Sequence, residues 1–230
     1  MISNILEGDI LNINDFNRTM IDKIYSEIKN RIINLEFKFN QKIYIQKISQ
    51  EFSVSQTPIR DALNNLVKDD LVIVKPRVGY FVTKLTKKDL CEIYEVRKMI
   101  ECFALENCIN LDYKKFKKYY EKALTLKGKL SKYENYEKYN TLDRAIHLSI
   151  IKESKNEQLI KIFTRIYPFV QISQNLDRSG EKSLNEIKNI ILLLENILNK
   201  DIINAKAILK KHIENCKIIG IESLEKYNIQ

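Results

Sequence analysis

Hydrogen-bonding side chains are concentrated in the segment SQTPIR, which begins at Ser55. Gln56 carries an amide, Thr57 a hydroxyl and Arg60 a guanidinium, and such groups bind phosphates and base edges in DNA. Pro58 is tolerated in the first turn of a helix, because the N–H that proline lacks would have no partner there. Ser55 is then the expected N-cap. The pattern predicts a helix whose amino end presents Gln56, Thr57 and Arg60 to the major groove.

A second group of reactive side chains lies further along the chain. Asp143 and His147 are four residues apart in TLDRAIHLSI, so their side chains lie on one face of a helix. His212 is the only other histidine. Arg97 and Glu101 have the same four-residue spacing. Arg97 can therefore form an ion pair with Glu101, or its guanidinium can bind the carboxylate of a ligand, and the residues leave both readings open.

The elements around SQTPIR follow the order of a winged helix-turn-helix domain. An amphipathic helix is predicted from Thr19 to Asn34, and IQKISQEF forms the helix before SQTPIR. After these helices the helical spacing of apolar residues ends. The segment LVIVKPRVGYFVTKL is rich in β-branched and aromatic residues and is broken by Pro76 and Gly79, which predicts a β-hairpin. Helix, helix-turn-helix and a two-stranded wing are the parts of a winged helix domain.

Further DNA contacts are expected from basic residues of the same domain. Lys75 and Arg77 lie on the predicted wing beside Gly79, where they approach the minor groove or the backbone. Lys47, in the helix before SQTPIR, is expected to bind a phosphate.

The rest of the chain predicts an all-helical domain. Amphipathic helices are expected at about 87–109, 112–131, 134–152, 156–176, 182–198 and 201–224. The fold class is therefore mainly α: a winged helix-turn-helix domain at 1–85 and an antiparallel helical bundle at 86–230. A short hinge is expected between them, near Lys84–Lys87.

Composition limits the class of protein. The 230 residues carry a net charge of +9, which permits nucleic-acid binding. Residues 1–85 hold 12 Lys and Arg against 10 Asp and Glu (+2), and residues 86–230 hold 27 against 20 (+7), so the predicted DNA reader is not the more basic half. No membrane-spanning run or signal peptide is evident, so the cytoplasm is the expected location. The four cysteines show no CxxC spacing and are read as free thiols.

The segment VSQTPIRDALNNLVKDDLVIVKPRVGYFV resembles the DNA-binding signature of GntR-type bacterial transcription regulators, whose usual form is close to VSRTPVREAL. The helical domain resembles the FCD ligand-sensing domain of the FadR branch, and Arg97 with Glu101 is similar to an Arg-x-x-x-Glu element of that branch. Three positions depart from the family. Gln56 replaces an arginine, which favours an A·T-leaning site or a phosphate contact, and Ser53 and Asp70 replace glycines.

The resemblance also implies a metal site. FCD regulators of the metal-binding type use one carboxylate and three histidines, and Asp143, His147 and His212 match three of these positions. Ile190 falls at the fourth position, and an isoleucine cannot ligate a metal. One divalent ion, Zn or Ni, is therefore expected on three ligands, with water or an effector carboxylate completing the shell. A metal-free pocket and an ordinary buried Asp–His pair are the alternatives.

The sequence thus predicts a ligand-responsive transcription regulator, not an enzyme. The resemblance implies a homodimer on a palindromic DNA operator, with a small organic acid as the effector. Two other functions remain open from the residues. A metal-dependent hydrolase or lyase would use Asp143, His147 and His212, because three protein ligands with one open position also occur in catalytic zinc sites. An architectural DNA-binding protein would have no enclosed polar pocket in its helical domain.

Overall fold

A computed structural model of the chain describes residues 19–108, 111–127, 133–177 and 186–229. These residues form nine helices and one three-stranded sheet, so the prediction of a mainly helical chain with a small wing is confirmed. The described chain divides into two compact units, with the boundary between Thr86 and Lys87. No helix in the described ranges is long and apolar enough to cross a membrane.

The first unit is a winged helix-turn-helix. Its elements, in chain order, are α1 (Met20–Ile33), β1 (Lys42–Ile43), α2 (Ile45–Phe52), α3 (Gln56–Lys68), β2 (Val72–Lys75) and β3 (Gly79–Val82). The sheet is antiparallel with the order β1-β3-β2. β2 and β3 are the predicted hairpin, and β1 is an addition that the two-stranded prediction did not contain.

An isoleucine stripe on α1 forms the core of this unit. Ile24, Ile28 and Ile32 recur at helical spacing, and all are fully or almost fully buried. α1 packs against α3, whose buried face consists of Ile59, Ala62, Leu63 and Leu66. Because one face of α3 is held in the core, the opposite face is presented outward.

Two residues at the usual glycine positions of the family have left-handed backbones. Ser53, the C-cap of α2, has φ 52° and ψ 42°, and Asp70 has φ 60°. The N–H of Ser53 bonds to the carbonyls of Ser49 and Gln50, so the helix ends there as it would with glycine. An L-residue in this region costs about 1–2 kcal/mol relative to the right-handed helix.

Replacing Ser53 with glycine should therefore stabilise the protein. We expect a gain of about 1 kcal/mol in the free energy of unfolding, because glycine adopts this backbone without a Cβ penalty and loses part of the gain as chain entropy. The measurement is chemical unfolding followed by circular dichroism. Ser53→Ala is the matched control: it removes the hydroxyl, keeps the Cβ and should give no such gain. Equal stability of the two variants would contradict the prediction.

The second unit is a bundle of six helices in the described ranges. They are α4 (Lys87–Glu106), α5 (Tyr113–Lys127), α6 (Tyr133–Glu153), α7 (Glu157–Leu176), α8 (Ile187–Leu198) and α9 (Ile202–Ile229). α4 ends three residues earlier than predicted, and α9 continues five residues further. The predicted starts and ends at 109, 131 and 182 lie outside the described residues.

α4 is the central helix of this bundle. It packs against α6, α7 and α9, and α9 also packs against α7 and α8. Polar residues of α4 are fully buried together with its apolar ones, including Arg97 and Glu101. Charged groups inside a helical core need charged or hydrogen-bonding partners, and the side chains around these two residues must supply them.

Candidate DNA-binding surface and buried polar site

The amino end of α3 is built as the sequence predicts. α3 begins at Gln56, and Ser55 is the N-cap with an extended backbone (φ −66°, ψ 168°). Pro58 lies in the first turn, while Gln56, Thr57 and Arg60 are exposed. One detail differs: the Ser55 side chain makes no capping hydrogen bond. The hydroxyl of Ser55 is therefore left for another acceptor or donor.

The wing carries its basic residues on a tight turn. The N–H of Val78 donates to the carbonyl of Lys75 at 3.0 Å, and Arg77 between them has φ 63°. With Pro76 at the second position, this is a type II turn, in which the third position normally takes glycine. Arg77 and Lys75 are exposed. At Gly79, φ is 129° and an added Cβ would lie 3.4 Å from Cε of Lys42, so this site favours glycine.

A cluster of cations surrounds an exposed aromatic ring in the same unit. The Nζ atoms of Lys42 and Lys47 lie 5.6 and 5.4 Å from the ring centroid of Tyr44, which is 55% exposed. Tyr44 and Lys42 were not among the predicted contacts.

Arg60 forms no salt bridge with any residue that the structure describes. A cation without a protein partner remains available for a phosphate or a base.

The helical unit brings Asp143, His147 and His212 together. One ligand atom from each lies within 4.8 Å of the others, and all three side chains are fully buried. Oδ1 of Asp143 is 3.0 Å from Nε2 of His212 and 3.3 Å from Nε2 of His147. The two imidazole rings are stacked, with centroids 5.2 Å apart and planes 15° from parallel. α6 and α9 thus place three metal-ligating groups around one point.

Each histidine also contacts a carboxylate through its other nitrogen. Nδ1 of His147 contacts Oε2 of Glu101, and Nδ1 of His212 lies 3.0 Å from Oε2 of Glu186. A carboxylate that accepts a hydrogen bond from Nδ1–H keeps the proton on that nitrogen and leaves Nε2 as the ligating nitrogen. Nε2 of His147 has no hydrogen-bond partner among the described residues, although it is buried. The two pairs therefore aim both Nε2 atoms toward Asp143.

Arg97 extends the network on the Glu101 side. Its Nε donates to Oε1 of Glu101 at 2.6 Å, so the ion pair, one of the two readings that the sequence left open, is present. Both terminal nitrogens, Nη1 and Nη2, lack a hydrogen-bond partner in the described ranges. Cζ lies 5.6 and 5.9 Å from the ring centroids of Tyr94 and Tyr167, which offer only the weaker cation–π attraction. Two nitrogens of a fully buried guanidinium thus have no acceptor among the described residues.

The buried charges do not balance when the imidazoles are neutral. Glu101, Asp143 and Glu186 contribute three negative charges and Arg97 one positive charge, so the site carries −2. Burial raises the pKa of Asp143, but the contacts with His147 and His212 outweigh this effect and hold the pKa well below its usual range. Burial lowers the pKa of His212, but Cys216, Asp143 and Glu186 raise it well above its usual range. Two protons or one divalent cation would neutralise the site.

Several contacts of this site were not predicted from the sequence. Ile190, at the expected fourth ligand position, is fully buried, and Glu186, four residues before it, contacts His212. Gln174 donates its Nε2 proton to Oδ2 of Asp143 at 3.1 Å. Sγ of Cys216 lies 3.6 Å from Nε2 of His212. Of these contacts, only that between Cys216 and His212 could have been found from the sequence. The two residues repeat the four-residue spacing of Asp143 and His147.

A small cavity adjoins the cluster. Its volume is about 10 Å³, room for roughly one water molecule. The lining residues are Tyr94, Tyr139, Ser173, Gln174, Cys216, Ile219 and Gly220. A Cβ added at Gly220 would lie 3.1 Å from Cβ of Ser173, so glycine allows α9 to approach α7 closely. The helical unit therefore contains an enclosed polar site, which an architectural DNA-binding protein would not require.

A winged helix-turn-helix unit followed by a helical unit with an enclosed polar site is the organisation of a DNA-binding regulator with a sensor domain. Comparison with protein families agrees with this class. Residues 20–82 match the model of bacterial regulatory proteins of the gntR family, and residues 92–215, more than half of the chain, match the FCD domain. The chain belongs to the gntR family of bacterial transcription regulators and carries an FCD ligand-sensing domain.

Individual relatives agree with the assignment. The gluconate operon transcriptional repressor of Bacillus subtilis is 28% identical over 185 residues, which cover 78% of this chain and 76% of that protein. A GntR regulator from Rhodococcus sp. RHA1 superposes with a TM-score of 0.74 at 16% identity, covering 88% of this chain and 97% of that one. Escherichia coli McbR/YncC gives 0.69 at 19% identity, covering 92% and 99%. These structures share the fold. Because the family consists of regulators, the hydrolase or lyase alternative is wrong.

Proposed function

We propose that the protein is a homodimeric repressor that binds a palindromic operator and responds to a small carboxylate. In this proposal α3 of each subunit reads one half-site through Gln56, Thr57 and Arg60, and the wing contacts the backbone. Proteins named as repressors of a gluconate operon are among the relatives, which supports repression over activation. The proposed location of the regulator is the cytoplasm, where its operator DNA would lie.

The free guanidinium donors of Arg97 are the observation that carries the effector proposal. Nη1 and Nη2 are buried without a hydrogen-bond partner in the described part of the chain, whereas Nε is held by Glu101 at 2.6 Å. A carboxylate accepts two parallel N–H bonds from such a group. Leaving these donors unpaired costs about 1–3 kcal/mol, more for a charged group, and a bound carboxylate removes that cost. Gluconate is the first sugar acid to test.

Asp143, His147 and His212 would hold the divalent metal. The orphaned Nε2 of His147 and the net charge of −2 fit a cation at this point. Such an ion would supply a positive charge and a Lewis-acidic position for an effector carboxylate. Glu101 contacts both Arg97 and His147, so a ligand at the guanidinium and the orientation of the metal-ligating imidazole are linked through one side chain.

Regulation requires an effector that binds one arrangement of the dimer better than the other. The polar network connects α4, α6 and α9 with the residue before α8, so an effector that displaces Arg97 or Glu101 changes contacts of four helices. Exposed apolar side chains lie on α4 (Met99, 66%; Phe103, 51%) and α9 (Ile203, 84%). Met99 and Phe103 are four residues apart on one face of α4, and exposed apolar side chains on one helix face support the proposed pairing of two copies.

Replacing Arg97 with lysine should weaken effector binding without unfolding the protein. Lysine keeps the charge toward Glu101 but cannot form the two-point contact, so the affinity for gluconate should fall by about 10- to 100-fold, the value of one charge-assisted hydrogen bond. The measurement is the gluconate concentration that releases half of the bound operator DNA, with the dimer monitored by analytical ultracentrifugation.

Glu101→Gln is the control for this experiment. It breaks the ion pair of α4 and alters the contact with His147, but it leaves the guanidinium in place. A gluconate response that is lost in Arg97→Lys and retained in Glu101→Gln would assign the loss to the guanidinium and not to the ion pair. Equal gluconate responses of the wild type and Arg97→Lys would show that Arg97 only pairs with Glu101. If no sugar acid or other small carboxylate changes DNA affinity, the effector part of the proposal fails while DNA binding stands.

A further inference from the structure

Three lysines and two aromatic rings form a cationic strip on the first unit. The Nζ atoms of Lys47 and Lys42 lie 5.4 and 5.6 Å from the ring centroid of Tyr44, within the range of cation–π attraction. Lys42 is directly opposite Phe81 in the sheet, so both side chains project to one face. Nζ of Lys75 lies 4.3 Å from the centroid of the Phe81 ring. The strip therefore runs from the amino end of α2 across the sheet to the wing.

The charges of this cationic strip are not neutralised within the described part of the chain. None of its three lysines forms a salt bridge with a described residue. Arg31 of the same unit, by contrast, is held by Glu27 and Glu51 at 2.8 and 2.7 Å. Like charges that are held near one another repel, and an anion bound between them removes the repulsion. The strip thus has the charge complementary to a polyanion.

The strip connects the two elements that flank α3. Tyr44 is the N-cap residue of α2 and is 55% exposed, and Lys75 is the last residue of β2. α3 packs against both α2 and β2. In a helix-turn-helix, the helix before the recognition helix crosses the DNA backbone. The amino end of α2 is therefore where backbone phosphates are expected when α3 lies in the major groove.

We propose that Tyr44, Lys42 and Lys47 form a phosphate-binding site for the DNA backbone beside the bases that α3 reads. This inference rests on the proposed DNA-binding face of α3 and extends it, since the sequence predicts only Lys47 as a contact. The two ammonium groups neutralise phosphates, and the Tyr44 hydroxyl donates a hydrogen bond to one of them. The ring is a positioning group that holds both lysine side chains toward the same stretch of backbone. Phosphate contacts carry no sequence information, so the site adds affinity for all duplexes alike.

Removing the two charges tests the proposal. Fluorescence anisotropy measures the affinity of full-length Lys42→Gln/Lys47→Gln for a random duplex and for an operator selected from a duplex library, at several salt concentrations. At physiological salt both affinities should fall by about 10- to 100-fold. The salt slope should fall by about 1.8 per chain, because each phosphate contact contributes about 0.9. The ratio of the two affinities should be unchanged.

The matched control is Lys23→Gln/Lys68→Gln, which removes the same charge from exposed lysines of the same unit outside the strip. It should have little effect on affinity or salt slope. Substitutions at Tyr44 then separate the hydroxyl from the ring. Tyr44→Phe should weaken binding to both duplexes by about 3- to 10-fold, the value of one hydrogen bond. Tyr44→Ala should weaken it further without changing the unfolding temperature, because the side chain is exposed.

Three results would overturn the phosphate site. The first is unchanged affinity and salt slope in Lys42→Gln/Lys47→Gln; if Arg60→Ala still abolishes operator binding, α3 remains the recognition helix. The second is a loss of affinity confined to the operator, since that would indicate base recognition. The third is full DNA affinity of Lys42→Gln/Lys47→Gln together with lost repression of a reporter in cells, which would assign the strip to a protein partner.

Discussion

Replacing Arg60 with alanine should abolish specific operator binding while leaving the fold unchanged. Arg60 is exposed on the first turns of α3 and forms no salt bridge with the described residues, so its loss removes no internal contact that the structure shows. One lost guanidinium contact to DNA costs about 1–3 kcal/mol, and the proposed dimer would lose two. The total of about 2–6 kcal/mol corresponds to a decrease in affinity of about 30-fold to more than 10⁴-fold.

The experiment needs a defined operator, which selection from a random duplex library with the wild-type protein provides. Fluorescence anisotropy then gives the affinity at several salt concentrations. Lys68→Ala is the matched control, because it removes one positive charge from the other end of α3. Its effect should be small. Arg77→Ala on the wing should weaken binding to all sequences alike and lower the salt slope by about 1 per phosphate contact. Unchanged affinity of Arg60→Ala would refute the assignment of α3 as the recognition helix.

Removing two of the proposed ligands should eliminate the bound metal. The wild type, purified without an affinity tag and incubated with zinc or nickel, should contain close to one ion per chain. The double variant Asp143→Ala/His147→Ala should contain about a tenth of that or less, because ligand number and charge set metal affinity. The measurement is elemental analysis by mass spectrometry after gel filtration. Metal that survives in the double variant would place the ion elsewhere.

A second readout separates lost ligation from lost folding. A metal that binds only the folded chain raises its stability by about 2.7 kcal/mol at a free concentration of 100 times Kd. Zinc should therefore raise the unfolding temperature of the wild type and have no effect on the double variant. Asp143→Asn, which keeps the side-chain shape, is the variant to use if the double variant does not fold. No metal in a folded wild type would indicate a metal-free pocket, in which protons neutralise the buried carboxylates.

Local features of the fold were predictable because they depend on neighbouring residues. The N-cap at Ser55 with Pro58 in the first turn, the isoleucine stripe of α1 and the hairpin around Gly79 all follow from short-range patterns. The pair Asp143 and His147 also follows, since helical geometry places residues i and i+4 on one face. The positive φ of Ser53 and Asp70 could be suspected only from the glycines expected there.

The composition of the buried site could not be predicted in the same way. Glu186 precedes a helix and has no periodic partner in sequence, and Gln174 and Glu101 reach the cluster from α7 and α4. The third strand, β1, could not be predicted either. It is only two residues long, and its pairing with β3 identifies it as a strand.

The sequence by itself thus determined the order of the elements, the exposed end of α3 and the i, i+4 pairs on single helices, because these depend on local geometry. Tertiary structure alone decided which pairs meet. Asp143 and His212 are 69 residues apart in sequence and are brought within 3.0 Å by the packing of α6 and α9 around α4. That packing follows from the burial of apolar helix faces, which specifies contacts between helices and not the polar groups that they enclose.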